Sequence, residues 1–174
     1  MDTDEKLRKE RWELTYAVQR SQRYHARRSA FFDRWHKLTL LTGILGGSAV
    51  VASLGPVVGT NVTLVAGLAV AILSGVDLVV GTSEMARKHN DLRRRFCELE
   101  KEMEIQPKAD LEQIAAWRAA RLSIEADEPP AYVALDLLVE NELRRSYAHT
   151  KDEPPYPVTW WQRLTAHFVR WENA

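Results

Sequence analysis

The chain has 174 residues, enough for one compact unit, and its 24 lysines and arginines equal its 24 aspartates and glutamates. That balance leaves no basic footprint for direct nucleic-acid binding. Cys97 is the only cysteine, which excludes an intrachain disulfide and a cysteine-based zinc cluster and fits a reducing, cytosol-facing compartment.

The first stretch, "MDTDEKLRKERWEL", is charged throughout and has no apolar core, so it predicts no secretory signal. From Asp4 to Lys37 there is neither proline nor glycine, and region 1–37 reads as one cytoplasmic helix. Its apolar face, Leu7, Leu14 and Val18, is thin, so the helix needs a partner.

Between Leu38 and Ser83 the only ionisable side chain is Asp77. One helix of about 20 apolar residues crosses a bilayer core of roughly 30 Å, and this segment is long enough for two. The expectation for 38–83 is a transmembrane hairpin with spans at about 38–57 and 62–81, turning at "GPVVGTN" around Pro56 and Gly59. The alternative is a pair of buried helices in a water-soluble bundle. All eight glycines of the chain fall inside the segment. Gly43 and Gly47 form a GxxxG, and Gly67, Ala71 and Gly75 repeat a small residue every four, a spacing that lets helix backbones approach closely in lipid. These five are the candidate helix-contact residues. The glycines lack the GK[ST] ending and the complete G-x-G-x-x-G spacing of phosphate loops.

Phe31, Phe32 and Trp35 gather just before the first span, where an interfacial aromatic belt belongs. Arg27, Arg28, Arg34 and Lys37 precede the hairpin, and Arg87, Lys88 and Arg93 to Arg95 follow it, whereas the turn carries no basic residue. Both termini are therefore expected on the cytoplasmic side.

Asp77 lies about 9 Å, six helical residues, inside the cytoplasmic boundary, and a carboxylate in a span costs roughly 2.5–3.5 kcal/mol when central. It reads either as a pore-lining acid or as a structural group bonded to Thr39 or Thr42 or paired with Lys37. Asp77, Glu84 and Thr42 are the candidates for lining a path.

In region 84–149, Met85, His89, Leu92, Phe96, Leu99 and Met103 follow a coiled-coil seam and predict that the second span continues as a helix to about Ile105. Asp77, Glu84, Asp91 and Glu98 recur every seven residues on another line. Arg87, Lys88, Arg94, Arg95 and Lys101 lie beside it. Glu84 with Lys88 and Asp91 with Arg95 are expected i, i+4 pairs. In an assembly, Glu84, Arg87, Lys88, Asp91, Arg94 and Arg95 are the candidates for coupling the cytoplasmic helices to the membrane.

Beyond Pro107, a helix from Asp110 to about Ala126 carries Leu111, Ile114, Ala115 and Leu122. A second one, opened by Pro130, places Tyr132, Leu135, Leu138, Val139, Leu143 and Tyr147 on one face. Together they predict an antiparallel helical hairpin packed on the long helices. In region 150–174, "EPPYP" is a stiff connector to a short helix with Trp160, Trp161, Leu164, Phe168 and Trp171 on an aromatic face, which either packs on the bundle or lies on lipid. The five histidines show no metal-ligand spacing and no catalytic motif is present, so neither enzymatic activity, a metal nor a cofactor is expected.

Three stretches, "RYHARRSAFFDRWHKLTLLTGILGGSAVVA", "GLAVAILSGVDLVVGTSEMARKHNDLRRRFCELEKEM" and "RLSIEADEPPAYVALDLLVENELRRSYAH", resemble in order and texture the SLATT domain family of bacterial two-transmembrane-helix proteins. The match runs from about Tyr24 to His149. The resemblance implies an all-α membrane protein that assembles as a homo-oligomer in the lipid bilayer of the bacterial inner membrane. It further implies a pore-forming or membrane-disrupting effector in an antiphage response, triggered by a signal-producing or sensing partner or its nucleotide product. A non-conducting membrane adaptor that anchors a cytosolic partner is the alternative.

Overall fold

The computed structural model describes residues 3–52, 60–147 and 152–171. Among these, the chain forms six helices and no strand: α1 Thr3–Ala52, α2 Thr60–Val80, α3 Thr82–Ile105, α4 Leu111–Glu125, α5 Val133–Ser146 and α6 Trp160–Thr165. The expected turn at Pro56 and Gly59 lies outside the described residues. Two compact units are present. One comprises 1–28 and 89–174, the other 29–88.

The first unit is a helical bundle. Leu14 and Val18 of α1 meet Leu92, Phe96, Leu99 and Met103 of α3 and Ile114, Trp117 and Ile124 of α4 in one apolar cluster. The α3 side follows the predicted seam, with His89 buried in it. The α1 side was hard to read because polar residues occupy its continuation. Gln22 donates to the Phe96 carbonyl (3.2 Å) and to Glu100 (2.7 Å), and His25 is buried. Arg11 donates to the carbonyls of Met103 (2.7 Å), Gln106 (2.9 Å) and Pro107, covering the open C-terminal end of α3.

The face expected for α4 needs correction. Leu111 and Leu122 are exposed, and the buried stripe is Ile114, Trp117 and Ile124. That stripe has the three- and seven-residue steps of a seam, and it wins because Trp117 removes more apolar surface from water than a leucine does. The helix starts where predicted, with Asp110 accepting from the Gln113 amide. Helix α5 begins at Val133, three residues after Pro130, because Tyr132 remains extended. Ala134, Leu135 and Val139 pack with Tyr24 of α1 and Ala166, just past α6, in a second cluster. Arg20 holds Asp136 through two bonds, Nε to Oδ1 (2.9 Å) and NH2 to Oδ2 (2.5 Å), and so ties α1 to α5.

Three tyrosines have pKa values raised above the ordinary 10.0: Tyr16, Tyr24 and Tyr147, in each case chiefly through burial. Tyr16 also donates to Glu140 (2.8 Å), and a phenolate there would face that carboxylate. The unfolded chain therefore loses these protons first. Their contribution to stability is complete below pH 10 and falls as pH rises through the shifted values. In an alkaline titration, the part of the tyrosinate absorbance that Tyr16→Phe, Tyr24→Phe and Tyr147→Phe remove should appear together with helix loss rather than ahead of it.

The second unit contains the C-terminal part of α1 from Ser29, α2, and the first turns of α3. Its outward side chains are apolar: Leu41, Ile44, Leu45, Leu64, Leu68 and Ile72 are all more than half exposed. Helix α2 is long and apolar enough to cross a membrane over Asn61–Val80, with none of that window buried. It is the single such helix among the described residues. The other expected span begins within α1 and is described only as far as Ala52, and among the described residues only α2 meets the length and hydropathy of a span.

Candidate functional site

Within the second unit, α1 and α2 meet at Gly46. A Cβ built there would lie 2.4 Å from Val70 Cγ2 and 3.5 Å from the Ala66 carbonyl. With Val70 in place, glycine is needed at 46 because a Cβ would collide with the valine methyl, whereas the Ala66 carbonyl stands at ordinary contact distance. Of the predicted contact residues, Gly43, Gly47, Gly67 and Gly75 have nothing within 4 Å of such a Cβ, and Ala71 is exposed. Among the described residues they make no close contact across helices. Their sequence spacing drew attention to the GxxxG, whereas the residue that fits the partner helix is its neighbour Gly46.

Asp77 sits one turn before Gly81, which separates α2 from α3 with φ at +62°, the left-handed region that glycine enters without strain. The helical bonds continue across it, from the Gly81 amide to the Asp77 carbonyl (2.8 Å) and from the Met85 amide to the Gly81 carbonyl (2.9 Å). The Asp77 carboxylate accepts from the buried Thr82 hydroxyl on one oxygen and meets His36 Nδ1 of α1 at 3.4 Å on the other. The partners expected for it are otherwise engaged or absent. Thr39 donates to the Trp35 carbonyl (3.2 Å), and Lys37 pairs with Asp33 (2.7 Å). Thr42 is half-buried and has no hydrogen bond to Asp77. The continuous helix predicted from the second span into α3 is thus broken at Gly81, and the acid of the span is built into the break.

Asp77→Leu removes the acceptor for Thr82, which leaves a buried hydroxyl unsatisfied at a cost of about 1–3 kcal/mol. The same change removes an insertion penalty of up to roughly 3 kcal/mol from the span. Amide exchange at 81–85 should accelerate in Asp77→Leu, and Asp77→Asn should exchange more slowly than Asp77→Leu because its amide oxygen still accepts from Thr82.

Glu84, Arg87 and Lys88 are exposed on the first turns of α3. The predicted Glu84–Lys88 and Asp91–Arg95 pairs are not formed. Arg94 instead takes both Asp91 (2.7 Å) and Glu98 (3.2 Å), and Arg95 reaches Asp127 at 2.6 Å, just past the end of α4. A surface arginine spans three or four residues equally well, so spacing alone did not choose the partner. Cys97 lies on the same exposed side, and partial burial pushes its thiol pKa up, the opposite of an activated nucleophile.

The bundle unit holds a polar cluster that the sequence did not single out as a group. His25 and His89, each 1% exposed, bring their Nδ1 atoms to 2.9 Å, and His25 Nε2 lies 3.0 Å from Glu128. Phe96 stacks on the His25 ring at 5.7 Å. One Nδ1 must donate and the other accept, so the two rings are held in complementary roles. The signal available in the sequence was weak: two histidines on separate seams. Among the described residues no group of three His, Cys, Asp or Glu side chains has metal-binding geometry. A cavity of about 190 Å³ borders Glu128, but its arginines are already neutralised by Asp136 and Glu125.

The C-terminal segment is fastened to the bundle from one side. Asn141 Nδ2 donates to the Tyr156 carbonyl (2.9 Å), and its Oδ1 accepts from the Tyr156 amide (2.7 Å). Thr159 and Gln162 cap α6 reciprocally. The buried Arg28 donates to the His167 carbonyl (2.8 Å) and lies 4.3 Å over the Tyr132 ring. Burial lowers the Arg28 pKa from its ordinary value.

No family model, curated protein or solved structure matches this chain.

Proposed function

We propose that the chain is a nonenzymatic, self-associating membrane effector. In this reading α1 and α2 cross the inner membrane of a bacterial cell as a hairpin, both termini are cytoplasmic, and several hairpins assemble into a conducting path. A cue acting on the cytoplasmic helices opens it and disrupts the membrane in an antiphage response. The cue comes from a signal-producing or sensing partner, or from that partner's nucleotide product. The observation that carries this reading is α2: a 20-residue window, Asn61–Val80, long and apolar enough to cross a membrane and with none of it buried, in which Gly67, Ala71 and Gly75 are open for a second copy. The likeness of the linear arrangement to the SLATT family supplies the biological setting.

One observation favours the adaptor reading instead. Asp77, the single acid of the apolar segment, is already engaged by Thr82 and His36. The particle mass in lipid nanodiscs separates the alternatives at the level of assembly. The effector reading expects a closed ring larger than a dimer, reduced by Gly67→Leu with Gly75→Leu. A monomer in nanodiscs, or a protein that is monodisperse without detergent or lipid, contradicts it.

A further inference from the structure

Helix α6 and the turn after it present a second apolar surface, in a different unit from α2. Trp160 (64%), Trp161 (55%), Leu164 (65%) and Phe168 (58%) are exposed, and the two indoles stack with centroids 3.8 Å apart. Positions 160, 161, 164 and 168 share one helical face. The opposite side is the anchored one: Gln162 and Ala166 are buried, Arg28 holds the His167 carbonyl, and Trp171 Nε1 donates to Thr165 (3.1 Å). The aromatic face is therefore held outward by the bundle, and a helix this short has no stability of its own with which to choose that orientation.

The charges beside it identify the occupant. An open cleft of about 280 Å³ is lined by Arg27, Arg145 and Arg163 together with Leu138, Asn141 and Glu142. Glu142 is taken by Arg23 and Arg27. Arg145 and Arg163 are exposed, and neither forms an ion pair among the described residues. Tryptophan with arginine at the edge of an apolar face is the composition of a membrane interface, where indoles sit at headgroup level and guanidinium groups meet lipid phosphates. A second copy docking face to face would bring these arginines toward their own equivalents, which disfavours self-association here.

We propose that the outer face of α6, with Arg145 and Arg163, is a membrane-surface contact that binds the headgroup region of an anionic bilayer. The proposal rests on the reading that α2 inserts into a membrane, because insertion tethers the bundle near the lipid. It gives the C-terminal segment a task separate from spanning, a second point of contact with the bilayer.

The test uses the full chain with Cys97→Ser, spin-labelled at Leu164→Cys, in vesicles of phosphatidylcholine with and without phosphatidylglycerol. A parallel sample carries the label at Leu68→Cys in α2. Collision with oxygen against a water-soluble nickel chelate reports depth. The expected result is oxygen-dominated collision at 164 in the anionic vesicles, with a severalfold lower oxygen-to-nickel ratio in phosphatidylcholine alone and in Arg145→Gln with Arg163→Gln. A nickel-accessible label at 164 overturns the proposal, as does shielding from both reagents, which means protein contact. Equal ratios in the two lipid compositions overturn the anionic assignment. If 68 reads as lipid-exposed while 164 reads as water-exposed, this proposal fails and the spanning reading stands; water exposure at 68 removes the spanning reading itself.

Discussion

Gly46→Ala is expected to loosen the pairing of α1 with α2, and Gly46→Leu to abolish it. The added Cβ would stand 2.4 Å from Val70 Cγ2, far inside van der Waals contact, so one helix must move. Val70 cannot swing aside easily, because a β-branched side chain in a helix is confined to one strongly preferred rotamer. Overpacking of this kind costs about 1–3 kcal/mol for a single methyl and more for larger groups. In lipid the loss is felt fully, since close packing rather than the hydrophobic effect holds the helices together. Inter-label distances between Leu41→Cys and Ile72→Cys, in a Cys97→Ser chain, should pass from one narrow distribution to a broad one. Val70→Ala should restore the narrow distribution to Gly46→Ala by removing the methyl that collides. Gly43→Ala and Gly75→Ala, with nothing within 4 Å of the new carbon, should leave it unchanged. If all three alanine variants broaden alike, Gly46 has no special place in the pairing.

Trp117→Ala should be the most destabilising single change in the bundle. The side chain is 2% exposed and sits among Leu14, Phe96 and Ile114, and large-to-small changes of a buried tryptophan cost about 3–5 kcal/mol. That approaches the whole stability of many domains. Leu122→Ala, on the same helix but 55% exposed, should cost well under half as much. Thermal unfolding followed by far-ultraviolet circular dichroism in one detergent compares the two. Similar midpoints for both variants would mean that α4 buries the face expected from Leu111 and Leu122.

The parts of this architecture that were legible in the sequence are those written in apolar spacing. Leu92, Phe96, Leu99 and Met103 announced the α3 seam, and Leu135, Val139 and Leu143 announced the buried side of α5. What escaped was written in polar residues. Gln22, His25 and Arg28 are packed between helices, yet each looks like a solvated position until its partner on another helix is known. The break at Gly81 was hidden among eight glycines of one segment, because a positive φ is decided by the turn that the chain makes there. Asp77 was recognised as exceptional, but its true partners, Thr82 and His36, lie five residues ahead and on the other helix, and local spacing favoured neither. For Trp160, Trp161 and Leu164 the amphipathic pattern was visible, whereas the direction of the aromatic face depended on contacts from Asn141 and Arg28.

Reconstitution of the purified full chain into liposomes loaded with a potassium-sensitive dye tests the central claim most directly. On the proposed reading, ion flux should appear once the protein is inserted and the bundle helices are loosened, as by Arg28→Ala, which removes the buried guanidinium joining α1 to the C-terminal segment. Flux should then fall when Gly67→Leu and Gly75→Leu are added to block assembly. Protein that inserts, assembles and carries Arg28→Ala, yet leaves the liposomes as tight as empty ones, would contradict the effector account and leave the membrane adaptor in its place.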